Sequence, residues 1–246
     1  MYGALVLVQL IFGLHYLTTS LIVDRVDAFE WTAIRILLAG ILMFVFYRKR
    51  ILNFPKGKDW NFLIVLSILG IILNTALFTK GLELTTPAHA SLLSCMIPVM
   101  TLIFAWILGY EEMNRYKSLS LIIAMSGALI LLGIDNLDVN SDLFIGDILV
   151  FINFTCFGLF LVLSKSMIKH HSPLGLSVLV MSIGAVLLLP LSAKGLYFSH
   201  DSWLNLPWWI YVAAFYSVFF ATVVTYSLNY YAMSHVDSSK VALFIY

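Results

Sequence analysis

The sequence predicts an all-α protein threaded many times through a membrane. Three observations carry that prediction. Hydrophobic types make up 61% of the 246 residues, and Asp, Glu, Lys and Arg only 11%, against about 45–50% and about 25% in soluble domains. The apolar residues come in uncharged runs of about twenty, the length a helix needs to cross the hydrocarbon. The chain also repeats itself weakly, five spans apart.

The composition excludes other classes. Fourteen basic and thirteen acidic side chains cannot cover a water-soluble globule of this size. The apolar content is far too high for disorder. A net charge of +1 leaves no footprint for nucleic acid. Cys95 and Cys156 both sit in apolar stretches, which suggests neither a disulfide framework nor a metal site. Helices are expected rather than a barrel, because the runs are about twenty long and not alternating segments of about ten.

The runs place spans at roughly 3–23, 31–47, 61–80, 87–109, 118–134, 147–168, 174–192, 208–231 and from 239 onward. The second accepts a single Arg35. The first has no basic leader and no small-residue cleavage site, so it reads as a span and not a signal peptide. Short-loop Lys and Arg set orientation. Nine lie in the loops after spans 2, 4 and 6 (Arg48, Lys49, Arg50, Lys56, Lys58, Arg115, Lys117, Lys165, Lys169), and three in the opposite loops (Arg25, Lys80, Lys194). This bias places the N-terminus in the cytoplasm.

The repeat has two parts. Phe12-Gly13-Leu14 matches Phe157-Gly158-Leu159 at an offset of 145, with Leu17 against Val162 and Thr19 against Ser164. Gly81-Leu82 and then Pro87 to Leu92 match Ala232-Met233 and then Ser238 to Leu243 at an offset of 151. Five spans is an odd number, so the second copy enters from the opposite side. The halves are therefore inverted-topology repeats, as in many secondary transporters. The expected division is 1–134 for helices 1–5, a linker at 135–146, and 147–246 for a second copy that stops within its fourth helix. By the same logic about 40–50 further residues are expected after Tyr246.

These residues together resemble the EamA-type transporters of the drug/metabolite transporter superfamily. The resemblance rests on Phe12-Gly13, Trp31 with Arg35, Ala88-His89-Ala90-Ser91-Leu92-Leu93 leading to Pro98, Leu108-Gly109 with Glu111, and Gly127 with Gly133. Ser120 and Tyr110 depart from the family pattern. The resemblance implies ten helices in two EamA repeats, both ends cytoplasmic, an inner-membrane location, and a central cavity for amino acids or related metabolites.

Polar groups inside the spans supply the candidate site. Thr222, Tyr226, Asn229 and Met233 fall on one face of span 8. Asn74 and Thr75 form a related pair in span 3, with Thr79 one turn on. His15 lies at mid-depth in span 1. His89 and Lys240 occupy matching repeat positions in the first turn of a helix, after Thr86 and Asp237 as N-caps. The expected substrate-binding set is His15, Asn74, Thr75, His89, Ser94, Asn153, Tyr226 and Asn229, around a cavity between spans 1, 3, 4, 6, 8 and 9. The competing reading for the amides and hydroxyls is glue between helices, where interhelical hydrogen bonds average about 0.6 kcal/mol. For His15 it is a structural bond to a neighbouring carbonyl, and for His89 and Lys240 snorkelling to the interface.

Other features have blander expectations. Arg35 is expected to pair with Asp24, Asp27, Glu30 or Glu83 at the same membrane face, with contact to the substrate as the alternative. Glu111 and Glu112 should close span 4 beside Arg115 and Lys117. Ser120, Ala124 and Ala128, with Gly127, form a seam that suits either internal packing or a homodimer. Pro98 and Pro190 should interrupt helix hydrogen bonds. Trp203, Trp208 and Trp209 read as an interfacial belt. Hydrolase, zinc-protease and nucleotide-loop motifs are absent from the sequence. No catalytic residue, metal or cofactor is expected. The expected partners are a small-molecule substrate and the lipid bilayer. A membrane receptor or assembly protein that moves nothing is the alternative function.

Overall fold

In the computed structural model the described residues are 2–51, 56–131, 141–168, 171–198 and 203–243. They are almost entirely helical, with no strand among them. Span 1 is α1 (Tyr2–Val23) and span 2 is α2 (Ala28–Tyr47). Span 3 is α3 (Lys58–Ser67) and α4 (Asn74–Leu84), joined by a π turn over Ile68–Leu73. Span 4 is α5 (Pro87–Leu93) and α6 (Met96–Ile107). Spans 5, 6 and 7 are α7 (Arg115–Leu131), α8 (Asp142–Ile168) and α9 (Pro173–Phe198). Span 8 is α10 (Trp208–Val218) and α11 (Thr225–Met233), joined by a second π turn over Phe219–Val224. The start of span 9 is α12 (Ser238–Leu243).

Seven of these helical stretches are long and apolar enough to cross a membrane, all but spans 5 and 9. Span 5 is described only as far as Leu131, and the end expected at 134 lies outside the described residues. Span 6 begins at Asp142, five residues before the expected 147. Hydropathy marks where hydrocarbon ends, and a helix continues past that boundary when its backbone bonds can.

Local sequence explains the ends and breaks. Asp27 caps α2, accepting from the Phe29 N–H at 2.9 Å and the Glu30 N–H at 3.0 Å, which satisfies two donors that a helix start leaves free. Thr86 caps α5 by accepting from the His89 N–H at 3.2 Å, with Pro87 in the first turn. Span 4 breaks at Ser94–Cys95 because Pro98 has no N–H to give the Ser94 carbonyl. That carbonyl takes the Ile97 N–H instead, at 2.9 Å. Pro190 lies inside α9, which continues through it.

The two halves run in opposite senses. Equivalent spans 2 and 7 cross antiparallel: a Cβ built on Gly40 would stand 2.8 Å from Ala185 Cβ, and ten residues further along span 2 the Arg50 carbonyl accepts from Ser172 Oγ at 2.6 Å. Gly40 and Ala185 are separated by the 145 offset of the repeat. At one face, the Lys165 ammonium at the end of span 6 donates to the Met233 carbonyl at 2.8 Å. At the other, Gly146 at the start of span 6 packs on Gly81 and Thr85, and Arg25 stands over the Trp209 ring at 5.9 Å. Residues 50 and 146 therefore lie at opposite ends of the bundle. The π turns complete the correspondence, since 68–73 and 219–224 differ by the 151 offset.

Lipid is no less apolar than leucine, so these helices are held by close packing and buried polar bonds. A Cβ at Gly146 would lie 2.7 Å from the Thr85 nitrogen and 2.9 Å from the Gly81 carbonyl oxygen, so only glycine lets spans 3 and 6 meet there. Large apolar side chains such as Leu10, Val45 and Phe215 are exposed on the outside, as a hydrocarbon solvent requires. The seam expected on span 5 is not a packed one. Leu121 and Ala124 meet Met96, Val99 and Ile103, but Ser120 is exposed and donates to the Tyr116 carbonyl. A Cβ at Gly127 would touch nothing within 4 Å, and the Ala128 side chain is outside the described residues.

Candidate functional site: a polar cavity between the halves

A cavity of about 60 Å³ lies where the two halves meet, room for about four waters. Spans 1, 2, 3, 4, 6 and 8 line it. Phe12 and its repeat equivalent Phe157 both do so, as do Phe78 and Phe154. Of the eight residues expected from sequence, the structure brings six to this cavity: His15, Asn74, Thr75, Asn153, Tyr226 and Asn229. Thr222 of the span 8 stripe joins them.

The π turns shape this lining. The Asn74 N–H turns to the Leu69 and Ile71 carbonyls, away from Gly70, its partner in a regular α-helix. The Gly70 carbonyl instead accepts from Asn74 Nδ2 at 3.2 Å and from the Tyr226 hydroxyl at 2.5 Å. The second half repeats the device: the Thr225 N–H turns to Phe220 and Thr222, and the Ala221 carbonyl accepts from Thr225 Oγ1 at 2.7 Å. Tyr226 also accepts from Asn74 Nδ2 at 3.0 Å. Asn153 of span 6 donates to the Asn74 side-chain oxygen at 2.5 Å and to its carbonyl. A buried network thus ties span 3 of the first half to spans 6 and 8 of the second. Nothing in the hydropathy announces a π turn, which adds one residue to a helix without changing its composition.

Arg35 corrects the sequence reading. It is 2% exposed and lines the cavity, and among the described residues no carboxylate lies within ion-pair distance of it. Asp24, Asp27, Glu30 and Glu83 share its end of the bundle, but span 2 turns the guanidinium inward, away from them. Its partner is His15 Nε2, at 3.1 Å. A guanidinium only donates, so Nε2 accepts and the imidazole proton sits on Nδ1, facing Thr19 Oγ1 at 3.2 Å. His15 also stacks on Phe78, with ring centroids 5.6 Å apart. The expected contribution of span 9 is replaced by that of span 2: the described part of span 9 packs on spans 4 and 6 and does not reach the cavity.

His89 and Ser94 are elsewhere. His89 Nδ1 meets Asp147 Oδ2 at 2.9 Å near the start of span 6, and Thr85 Oγ1 donates to the other oxygen of Asp147 at 2.5 Å. The repeat logic that paired His89 with Lys240 did not anticipate this link. Lys240 stands 3.9 Å from Asp237, with more than half of each side chain exposed. Ser94 is buried at the break in span 4 and donates to the Ser91 carbonyl at 2.6 Å. Lys117 pairs with Glu111 at 3.0 Å, as the end of span 4 suggested. Trp208 is exposed, while Trp203 is half-buried beside Trp31, with centroids 5.9 Å apart.

Two oppositely threaded halves around a polar pocket define a multi-pass membrane protein of the transporter class. Comparison with known proteins makes this specific: the profile of the EamA-like transporter family matches residues 1–133 and 144–246, and the chain belongs to that family. It is 29% identical over 209 residues to the uncharacterized transporter YyaM of Bacillus subtilis, covering 84% of this chain and 68% of that one. It is 26% identical over 249 residues to an uncharacterized transporter of Archaeoglobus fulgidus, covering 98% and 83%. A crystal structure 16% identical in sequence aligns over 99% of this chain and 86% of its own, with a TM-score of 0.63. That likeness concerns the fold alone.

Proposed function

We propose that this protein carries small metabolites, amino acids or related compounds, across the cell's inner membrane by alternating access through the central cavity. The observation that carries the reading is the cavity itself, lined by both halves at the place where they cross. Rocking one half against the other would open that place to each side in turn. Asn229 faces it with no hydrogen-bond partner among the described residues, as suits a group that exchanges bonds with a passing solute. Its amide binds without trapping a charge. The nine-to-three bias of Lys and Arg supports a cytoplasmic N-terminus.

The test is flux of labelled amino acids and related metabolites into vesicles reconstituted with the purified protein. Asn229→Leu and His15→Ala should each lower saturable flux at least several-fold while expression and folding hold. Unchanged kinetics in both would refute the central site.

A further inference from the structure

We infer that the central cavity selects small monocarboxylates: solutes with one carboxylate and an otherwise uncharged body. The inference rests on the transport reading and narrows its substrate class to the related compounds that carry a carboxylate without an ammonium, setting the amino acids themselves aside.

Arg35 lies about 10 Å along α2 from its start, at 1.5 Å per residue. It is nearly sealed from the outside, so its charge does not reach an interface by snorkelling. A guanidinium carries five N–H donors. Among the described residues its one hydrogen-bond partner is the neutral imidazole of His15. Nε has no hydrogen-bond partner, and no other bond is made by the second terminal nitrogen.

The lining holds no acid to balance this charge. Besides Arg35 it consists of aromatic and aliphatic side chains, amides, hydroxyls and His15. The repeat does not supply a counterpart either, because position 180, equivalent to 35 by the 145 offset, is Val180. The site is therefore asymmetric and carries one uncompensated positive charge. A buried charge without a partner is costly, so the missing partner belongs to the solute. The planar fork of arginine suits a carboxylate better than a point charge would. His15, held by Thr19 and stacked on Phe78, positions the fork. Asn229 and the Tyr226 network remain for an uncharged polar group, and Phe12 and Phe157 for an apolar one. A zwitterion fits less well, since no acid is present to receive its ammonium.

The experiment compares molecules of one shape and different charge. Binding to the detergent-purified protein is measured by isothermal titration calorimetry in sulfate buffer. The probes are lactate, lactamide and alanine, then benzoate, benzamide and phenylalanine. In at least one series the acid should bind at least ten-fold more tightly than its amide and its zwitterion. Arg35→Gln should abolish that preference, and Arg35→Lys should weaken binding while keeping it. Should Arg35→Gln fail to fold, the ranking on the unaltered protein decides alone. Absence of a preference for the acid in both series overturns the inference. So does displacement by chloride as effective as by the acids, which would make the site one for inorganic anions. If neutral or zwitterionic solutes are carried with flux that depends on Asn229, the carboxylate inference falls and the transport reading stands. If flux ignores Asn229 and His15, the transport reading falls first.

Discussion

The meeting of spans 3 and 6 at Gly146 offers a sharp mechanical test. An alanine Cβ there would lie 2.7 Å from the Thr85 nitrogen, 2.9 Å from the Gly81 oxygen and 2.9 Å from the Leu84 carbonyl carbon. All three are backbone atoms, so no rotamer change relieves the clash. Reaching ordinary contact at 3.4 Å needs the two helices to part by about 0.7 Å, a loss felt along the whole seam because dispersion falls steeply with distance. Overpacking of this kind costs about 1–3 kcal/mol, and the adjoining Thr85–Asp147 and His89–Asp147 contacts loosen with it. In a chain of this length about 1 kcal/mol corresponds to roughly 2–4 °C. Gly146→Ala should therefore lower the melting temperature in detergent by roughly 2–12 °C, and Gly146→Leu by more. Gly13→Ala is the control, because a Cβ there meets nothing within 4 Å. It gains up to about 1 kcal/mol of helix propensity and should melt no lower than the parent. Equal melting of the parent and Gly146→Ala would refute the argument that glycine sets this approach.

Two further outcomes follow from the cross-links and the topology. Tyr226→Phe removes the hydroxyl shared by Gly70 and Asn74; two buried bonds at about 0.5–1.5 kcal/mol each should lower the melting temperature by several degrees, and the loss should be less than additive with Asn74→Ala in a double-mutant cycle. In a Cys95→Ser, Cys156→Ser background, a membrane-impermeant maleimide applied to intact cells should label Glu83→Cys, and Lys56→Cys only after permeabilisation; labelling of both from one side would refute the crossing of span 3 between them.

Much of this architecture can be read from the residues, because hydrocarbon imposes a simple rule on length and polarity. The spans, the repeat and the inward stripe of Thr222, Tyr226 and Asn229 all follow from it. What escapes is whatever depends on rotation of one helix against another. Arg35 shares a membrane face with four acids in the sequence, yet α2 turns it into the cavity. His89 has the same spacing from its cap as Lys240, but only His89 finds a buried aspartate. The π turns are invisible because Ile68–Leu73 and Phe219–Val224 are as apolar as their flanks. Asp147 escapes as well, because hydropathy starts span 6 at it, whereas the helix begins five residues earlier and carries it against span 3.

Each wide turn stores one surplus residue, and a single residue in a helix is worth about 100° of rotation. Deleting one position within 68–73 would leave hydropathy and span length nearly untouched. It would nevertheless swing Asn74 and Thr75 away from the pocket and turn a greasy flank toward it. The aim of the inward stripe in each half is thus set by counting, and a copy that lost its extra residue would still insert in the bilayer while facing the wrong way.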